Sequence, residues 1–147
     1  MFKNILIPTD GSATANKAVK AGIELARELG AKVTGYYAVE AFQPQVYGEG
    51  YMIDSKTVKN LEQRAREAGQ KHIDSMAKIA QAAGVTFKGV VTVAETPYDG
   101  IIEASRKHKC DAIFMASHGR RGLAGLIMGS VTHKVLTHSK VPVLVYR

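Results

Sequence analysis

The feature that most constrains the fold is a regular alternation of short apolar runs with longer amphipathic segments. The apolar runs have the length and composition of buried strands; they lie at 3–8, 31–40, 85–93, 110–117 and 140–147. The amphipathic segments predict helices at 11–30, 56–83, 95–109 and 129–139. A β-α-β-α-β-α-β-α-β order predicts an α/β fold with helices on both faces of a parallel sheet. Right-handed crossovers then favour an open five-stranded sheet in the order 3-2-1-4-5.

Helix-end signals support these segments. Ser12 or Thr14 is suited to cap the first helix, and Gly30 to end it. Thr96 is a natural cap for the third helix, with Pro97 at its first position. The segment 41–55, with proline, aromatic residues and glycine, predicts an exposed loop.

The composition limits the cell compartment and the partners. The length suits one domain spanning 1–147. Cys110 is the only cysteine, which excludes an intrachain disulfide and favours the cytoplasm. No apolar stretch has the length of a membrane span, so we expect no membrane partner. The net charge of +7 favours an anionic partner without saying which.

The predicted strand order also predicts where a ligand binds. In this order the chain reverses direction between the first and fourth strands, and open α/β sheets bind ligands at the carboxyl ends of strands at such a switch point. The first strand ends at "PTDGS" and the fourth at "ASHGRRG". Two polar turns that contain glycine should therefore meet there.

The second of these turns belongs to a glycine-rich basic segment, "MASHGRRGLAGLIMGSVTHKVL" at 115–136. Neither the P-loop nor the dinucleotide-binding fingerprint occurs in the chain. Four glycines would let the backbone approach a ligand, and the following helix N-terminus would attract an anion; they are Gly119, Gly122, Gly125 and Gly129. Arg120 and Arg121 could close over a triphosphate, and the Ser130 hydroxyl could donate a hydrogen bond or cap the helix. The alternative is a flexible surface loop whose arginines keep it soluble.

These residues resemble those of the universal stress protein family, the small single-domain kind. Nucleotide-binding members of that family carry Gly-x2-Gly-x9-Gly-Ser/Thr after the fourth strand. Here the same frame is Ala116-Ser117-His118-Gly119, nine residues, and then Gly129-Ser130. The ends "ILIPTDGS" and "KVPVLVYR" are also similar, so the resemblance spans the chain. It implies an adenine nucleotide alpha hydrolase-like fold that binds ATP with Mg²⁺ or Mn²⁺.

The resemblance also implies roles for individual positions. Pro8, Thr9 and Asp10 would line the adenosine, with Asp10 near the ribose hydroxyls or a metal ion. Val39 would offer its backbone to the adenine edge. Backbone N–H groups after the fourth strand would hold the phosphates. The expected nucleotide-binding residues are Pro8, Thr9, Asp10, Val39, Ala116, Ser117, His118, Gly119, Arg120, Gly129, Ser130 and Val131. Simpler roles are a helix cap for Asp10 and a core position for Val39.

Ala116 is the one departure from the motif, because it replaces the first glycine. A residue at a strand end usually has negative φ, which alanine adopts without strain. If the glycine serves close contact instead, the methyl group would crowd the ribose or the phosphates.

Other chemistries have weaker support in the sequence. Ser117 and His118 are adjacent, and neighbours on an extended chain point to opposite faces, so we expect no nucleophile–base pair. His108 and Cys110 lack the further ligands of a closed zinc site, and no metal ligand is assigned. The aromatic residues at 36–51 are not interleaved with lysine or arginine, which argues against nucleic acid.

The last strand would be a sheet edge, and edges are usually covered or paired. In the resembled family it pairs across a two-fold axis, which makes Val141, Val143 and Val145 candidates for a homodimer contact; the alternative is that they pack in their own core.

The sequence thus predicts an ATP-binding stress-response regulator with at most slow hydrolysis, and AMP or a cyclic nucleotide stays open. One alternative is a dimer of the same fold that binds no nucleotide and acts through protein partners. A small phosphotransferase or hydrolase has the least support.

Overall fold

Five strands and four helices alternate along the chain in the computed structural model, which describes residues 1–42, 54–119 and 128–147. The predicted loop at 41–55 lies largely outside these residues. The strands are β1 Asn4–Pro8, β2 Lys32–Glu40, β3 Phe87–Ala94, β4 Ala112–Ala116 and β5 Val143–Tyr146. The helices are α1 Ala13–Leu29, α2 Ser55–Ala82, α3 Pro97–Lys107 and α4 Ser130–His138.

The five strands form one parallel sheet in the order β3-β2-β1-β4-β5, which confirms the predicted topology. β1 is central, and all five of its residues are buried. It pairs with β2 along its whole length and with β4 at Ile5 and Leu6. The carboxyl ends of β1 and β4 are therefore neighbours, as the switch-point argument requires.

Each face of the sheet is covered by a pair of helices. Side chains from α1 and α2 pack on one face with the β4 residues Ala112 and Phe114. Side chains from α3 and α4 pack on the other face with Ile113 and Met115. The alternation along β4 follows from the two-residue period of a strand. Burial on both faces explains why the strands are continuous apolar runs.

The helix ends follow the local signals. Ser12, and not Thr14, caps α1, because its hydroxyl accepts a hydrogen bond from the Ala15 N–H. Gly30 ends the helix in the left-handed conformation at φ 63°. Thr96 caps α3 in the same way as Ser12 caps α1. Among the described residues, no helix is both long and apolar enough to cross a membrane.

Candidate functional site

The turn after β1 is held by local hydrogen bonds. The Thr9 N–H donates to the Tyr36 carbonyl oxygen of β2 at 2.9 Å. The Gly11 N–H donates to Thr9 Oγ1 at 3.1 Å, and the Ser12 N–H donates to Asp10 Oδ1 at 2.9 Å. Gly11 has φ 78°, a left-handed conformation that glycine adopts without strain. These contacts fix the Asp10 carboxylate at the carboxyl end of the sheet.

Asp10 is not the cap of α1, so that simpler interpretation is wrong. Its carboxylate accepts the Ser12 N–H in an Asx turn, which lies before the helix begins. Ser12 itself supplies the cap. The Oδ1 atom of Asp10 is thus hydrogen-bonded within its own turn, and the Oδ2 atom faces the turn after β4.

The first turn of α4, which we call the head of α4, is hydrogen-bonded to the end of β4. The Gly129 N–H donates to the Ser117 carbonyl oxygen at 2.7 Å. The Thr132 hydroxyl donates to the Ala116 carbonyl oxygen at 2.9 Å in a buried position. On the other side of β4, the Ser117 N–H donates to the Tyr146 carbonyl oxygen at 2.8 Å. The end of β4 and the first turn of α4 therefore form one braced unit.

The first turn of α4 offers backbone donors to a ligand. Gly129 is the N-cap, Ser130 is the first residue of the helix, and no side chain among residues 1–42, 54–119 and 128–147 caps it. The interpretation of Ser130 as the cap is therefore wrong, since its backbone is already helical. The N–H groups of Ser130 and Val131 have no acceptor within the helix, and the helix dipole favours an anion there. The Gly129 N–H closes the loop onto Ser117, which leaves the donors of the helix for a phosphate.

Gly119 lies where the turn after β4 approaches the turn after β1, and Gly129 lies where α4 approaches the end of β4. A β-carbon on Gly119 would lie 2.5 Å from Asp10 Oδ2. A β-carbon on Gly129 would lie 3.3 Å from the Ser117 carbonyl oxygen and 3.4 Å from the His118 Cα. The turns after β1 and β4 thus meet at the switch point, and a larger residue at 119 would push against the Asp10 carboxylate.

The methyl group of Ala116 lies away from the head of α4. Ala116 belongs to the apolar cluster formed with α1 and α2 and is 8% exposed. The first turn of α4 lies on the other face, where Val131 packs against the second cluster. The methyl group therefore packs in the core on the α1 side, away from the N–H groups of the first turn of α4.

The expectation that Ser117 and His118 do not pair is wrong. Ser117 Oγ lies 2.9 Å from His118 Nδ1, within hydrogen-bonding distance. β4 ends at Ala116, so the strand alternation no longer separates the two side chains. Ser117 is only 3% exposed, however, so its hydroxyl is shielded from a substrate. The contact orients the imidazole of His118 at the mouth of the site.

The remaining predicted residues fall in three places. Pro8 is the last residue of β1, and Thr9 follows it in a buried position. Val39 is a buried residue of β2, which confirms the core position expected for it. It pairs with Val93 of β3. Arg120 lies outside the described residues, as do the other arginine and the two middle glycines of the basic segment. Their expected roles stay predictions.

Asp10 places a carboxylate oxygen beside the turn after β4. In the described part of the chain, no group of three or more histidine, cysteine, aspartate or glutamate residues could hold a metal. Mg²⁺ that accompanies a nucleotide is usually held by phosphates and one or two carboxylates. Asp10 fits that pattern, because its Oδ2 atom faces the turn that leads to α4.

His72 is a neighbour of the site that sequence reasoning missed. Its ring stacks on Tyr37 of β2, with centroids 5.6 Å apart and planes 14° apart. A β-carbon on Gly11 would overlap the same imidazole. The left-handed turn after β1 is therefore supported from beneath by a residue of α2. A local pattern gives no signal for this contact, since it joins distant parts of the chain.

The last strand, β5, is only partly buried in the core of its own chain. β5 lies at the edge of the sheet and pairs with β4. Val141 and Val143 are partly buried and pack against the cluster formed with α3 and α4. Val145 is half-buried, and Tyr146 beside it is 37% exposed.

The strand order and the surrounding helices define a Rossmann-like α/β protein in which two polar turns meet at the switch point of the sheet. The model of the universal stress protein family matches residues 1–147. The universal stress protein MJ0531 of Methanocaldococcus jannaschii is 31% identical over 147 residues, which cover 100% of this chain and 83% of the relative. The chain belongs to the universal stress protein family.

Solved structures agree with this assignment. The structure of MJ0577, also from M. jannaschii, has a TM-score of 0.84 at 27% identity and covers 99% of this chain and 95% of that one. A universal stress protein solved in complex with cAMP has a TM-score of 0.72 at 25% identity and covers 99% of this chain and 97% of that one.

Proposed function

We propose that this protein is an ATP-binding regulatory protein of the stress response, with at most slow hydrolysis. The observation that carries the proposal is the meeting of the two turns, where Gly119 lies against Asp10 and the uncapped head of α4 lies next to them. Backbone donors at a helix N-terminus, reached through glycines, are suited to a phosphate chain. The similar protein solved with cAMP supports an adenine nucleotide as the ligand class.

In this proposal each part of the crevice has its own task. The N–H groups of Ser130 and Val131 donate to phosphate oxygens. Thr9 and Asp10 line the sugar, and the backbone of Val39 reaches the adenine edge. Mg²⁺, or Mn²⁺ in its place, would neutralise part of the phosphate charge when bound, with Asp10 as the nearest predicted carboxylate. Arg120 would approach the phosphates from the solvent side.

Binding, and not turnover, is the proposed activity. The Ser117 hydroxyl pairs with His118 but lies under the backbone of its own turn. A buried hydroxyl supports the structure of the turn better than it serves as a nucleophile. We therefore expect ATP to act as a ligand that is held and released, and only slowly hydrolysed.

We also propose that the protein forms a homodimer and that it lies in the cytoplasm. β5 is a short edge strand, and an edge is usually paired or covered. Val145 is the valine that its own core uses least, so it would carry most of the contact, flanked by Val141 and Val143. The single cysteine, Cys110, is free and buried, which suits a reducing compartment.

Thermal unfolding with and without Mg-ATP tests the proposal. Because a ligand that binds only the folded state stabilises it, ATP at a hundred times its Kd should add about 2.7 kcal/mol. For a chain of this size that corresponds to a rise in Tm of about 5–11 °C. AMP and cAMP serve as matched controls, with smaller expected shifts. No shift at millimolar ATP, or a larger shift with cAMP than with ATP, would contradict the proposal.

A further inference from the structure

A basic cavity lies at the opposite end of the sheet from the proposed nucleotide site. It has a volume of about 220 Å³ and is bordered by the segments that lead into β2, β3 and β4. Five cationic or titratable side chains line it, and they are Lys32, Lys88, Lys107, His108 and Lys109. They come from three separate segments of the chain, and the fold brings Lys32 and Lys88 to the run at 107–109.

The cavity holds positive charge that its own lining does not neutralise. Among the described residues that line it, none is acidic. Partial burial, together with the charges of Lys88 and Lys107, lowers the pKa of His108. The ammonium groups of Lys88, in β3, and Lys107, in α3, therefore both act on the His108 imidazole. A concave surface lined by charges of one sign concentrates ions of the opposite sign.

The floor of the cavity is rigid. Asn4 is 3% exposed, and its side-chain amide donates to the His108 carbonyl oxygen at 2.9 Å. The Thr34 hydroxyl donates to Asn4 Oδ1 at 3.0 Å, also in a buried position. The Asp111 carboxylate accepts the Asn4 N–H at 3.0 Å. This network anchors the turn at 107–109.

The loop has an uncommon conformation. Lys109 has φ 52°, the left-handed region that a residue other than glycine rarely adopts. That turn places Lys107, His108 and Lys109 around the same cavity. The backbone of this turn is already ordered, so a ligand here would have to order only the exposed lysine side chains.

We propose that this cavity is a second anion site, which takes a compact inorganic polyphosphate such as diphosphate or tripolyphosphate. The volume is below the range of about 300–1,000 Å³ typical of drug-sized ligands, which favours a small ion. Phe87 and His108 carry the rings in the described lining, and the Phe87 ring packs against Gly35 and Gly89 of the sheet. The cavity thus has charge for phosphates, and its small volume argues against a whole nucleotide.

Titration calorimetry with inorganic tripolyphosphate at physiological salt tests this site. The variant Lys88→Gln/Lys107→Gln removes two of the lining charges. The control Lys20→Gln/Lys71→Gln removes two exposed charges that do not line the cavity, so the net charge is the same. We expect saturable binding by the wild type, at least tenfold weaker binding by the cavity variant, and a change below twofold in the control. Absent binding, an unchanged cavity variant or equal weakening of both variants would overturn the proposal.

Two further measurements separate this site from the nucleotide site. Bound anion opposes the charges of Lys88 and Lys107, so tripolyphosphate should raise the pKa of His108 in a histidine NMR titration; an unchanged pKa would count against the site. Gly129→Val, which alters the head of α4, should leave tripolyphosphate binding in place. Loss of all tripolyphosphate binding in that variant would mean that the anion enters the nucleotide site only. Failure of ATP to bind would leave these results unaffected.

Discussion

Replacing Gly129 by valine should damage nucleotide binding without preventing folding. Gly129 has φ −74° and ψ 157°, an extended conformation that valine adopts readily, so the backbone itself is not strained. The conflict is with the neighbouring turn. A β-carbon would lie 3.3 Å from the Ser117 carbonyl oxygen and 3.4 Å from the His118 Cα, and the two valine methyl groups would extend beyond it.

The size of the effect follows from this crowding. The Ser117 carbonyl accepts the Gly129 N–H at 2.7 Å, so the two segments have little room to separate while they keep that bond. Overpacking of this kind costs about 1–3 kcal/mol. If the displaced turn must return to its place for ATP to bind, the same cost appears in the affinity, as a loss of about 5- to 150-fold.

Calorimetric titration of Mg-ATP measures this loss, with Gly129→Ala as the matched control. Alanine adds the β-carbon alone, which requires a shift of a few tenths of an ångström, so we expect a loss below about fivefold. Thermal unfolding of both variants checks that they fold. Wild-type affinity in Gly129→Val would refute the placement of the phosphates at the head of α4.

Two further predictions concern the opposite end of the sheet. Asn4→Leu leaves the buried Thr34 hydroxyl and the His108 carbonyl without their partner, and should lower the free energy of unfolding by about 2–4 kcal/mol in urea; a loss below about 1 kcal/mol would contradict it. Because the folded state lowers the pKa of His108 from its ordinary 6.5, the unfolded chain binds more protons below that pH. Stability should therefore fall as the pH drops below 6.5, and His108→Gln should flatten this part of the profile; an identical profile would contradict the assignment.

The fold was predictable because its signals are local or follow from general rules. Each strand is an apolar run, and Ser12, Gly30 and Thr96 mark helix ends through contacts within a few residues. The strand order follows from the handedness of crossovers. The cap of α2 was missed: Asp54 accepts from the Thr57 N–H, so the helix begins one residue before the predicted start.

The candidate site was predictable only in part, because its details depend on contacts between distant segments. Nothing local indicates that His72 supports the turn at Gly11. Strand alternation puts Ala116 on the face of Ala112 and Phe114, but only the packed fold shows that α1 and α2 cover that face. The Ser117–His118 pair was missed because strand periodicity was extended one residue too far. The basic cavity has no local signal either, since Lys32 and Lys88 join the run at 107–109 only in the folded sheet.

The most direct test of the central claim is a titration of ¹⁵N-labelled protein with Mg-ATP, followed at the backbone amides. The account predicts saturable shifts confined to the carboxyl end of the sheet, largest at Asp10, Gly119, Ser130 and Val131. Ser130 and Val131 should shift downfield, because their N–H groups gain phosphate acceptors. An unchanged spectrum at millimolar ATP, or shifts confined to Lys88 and its neighbours at the amino end, would contradict it.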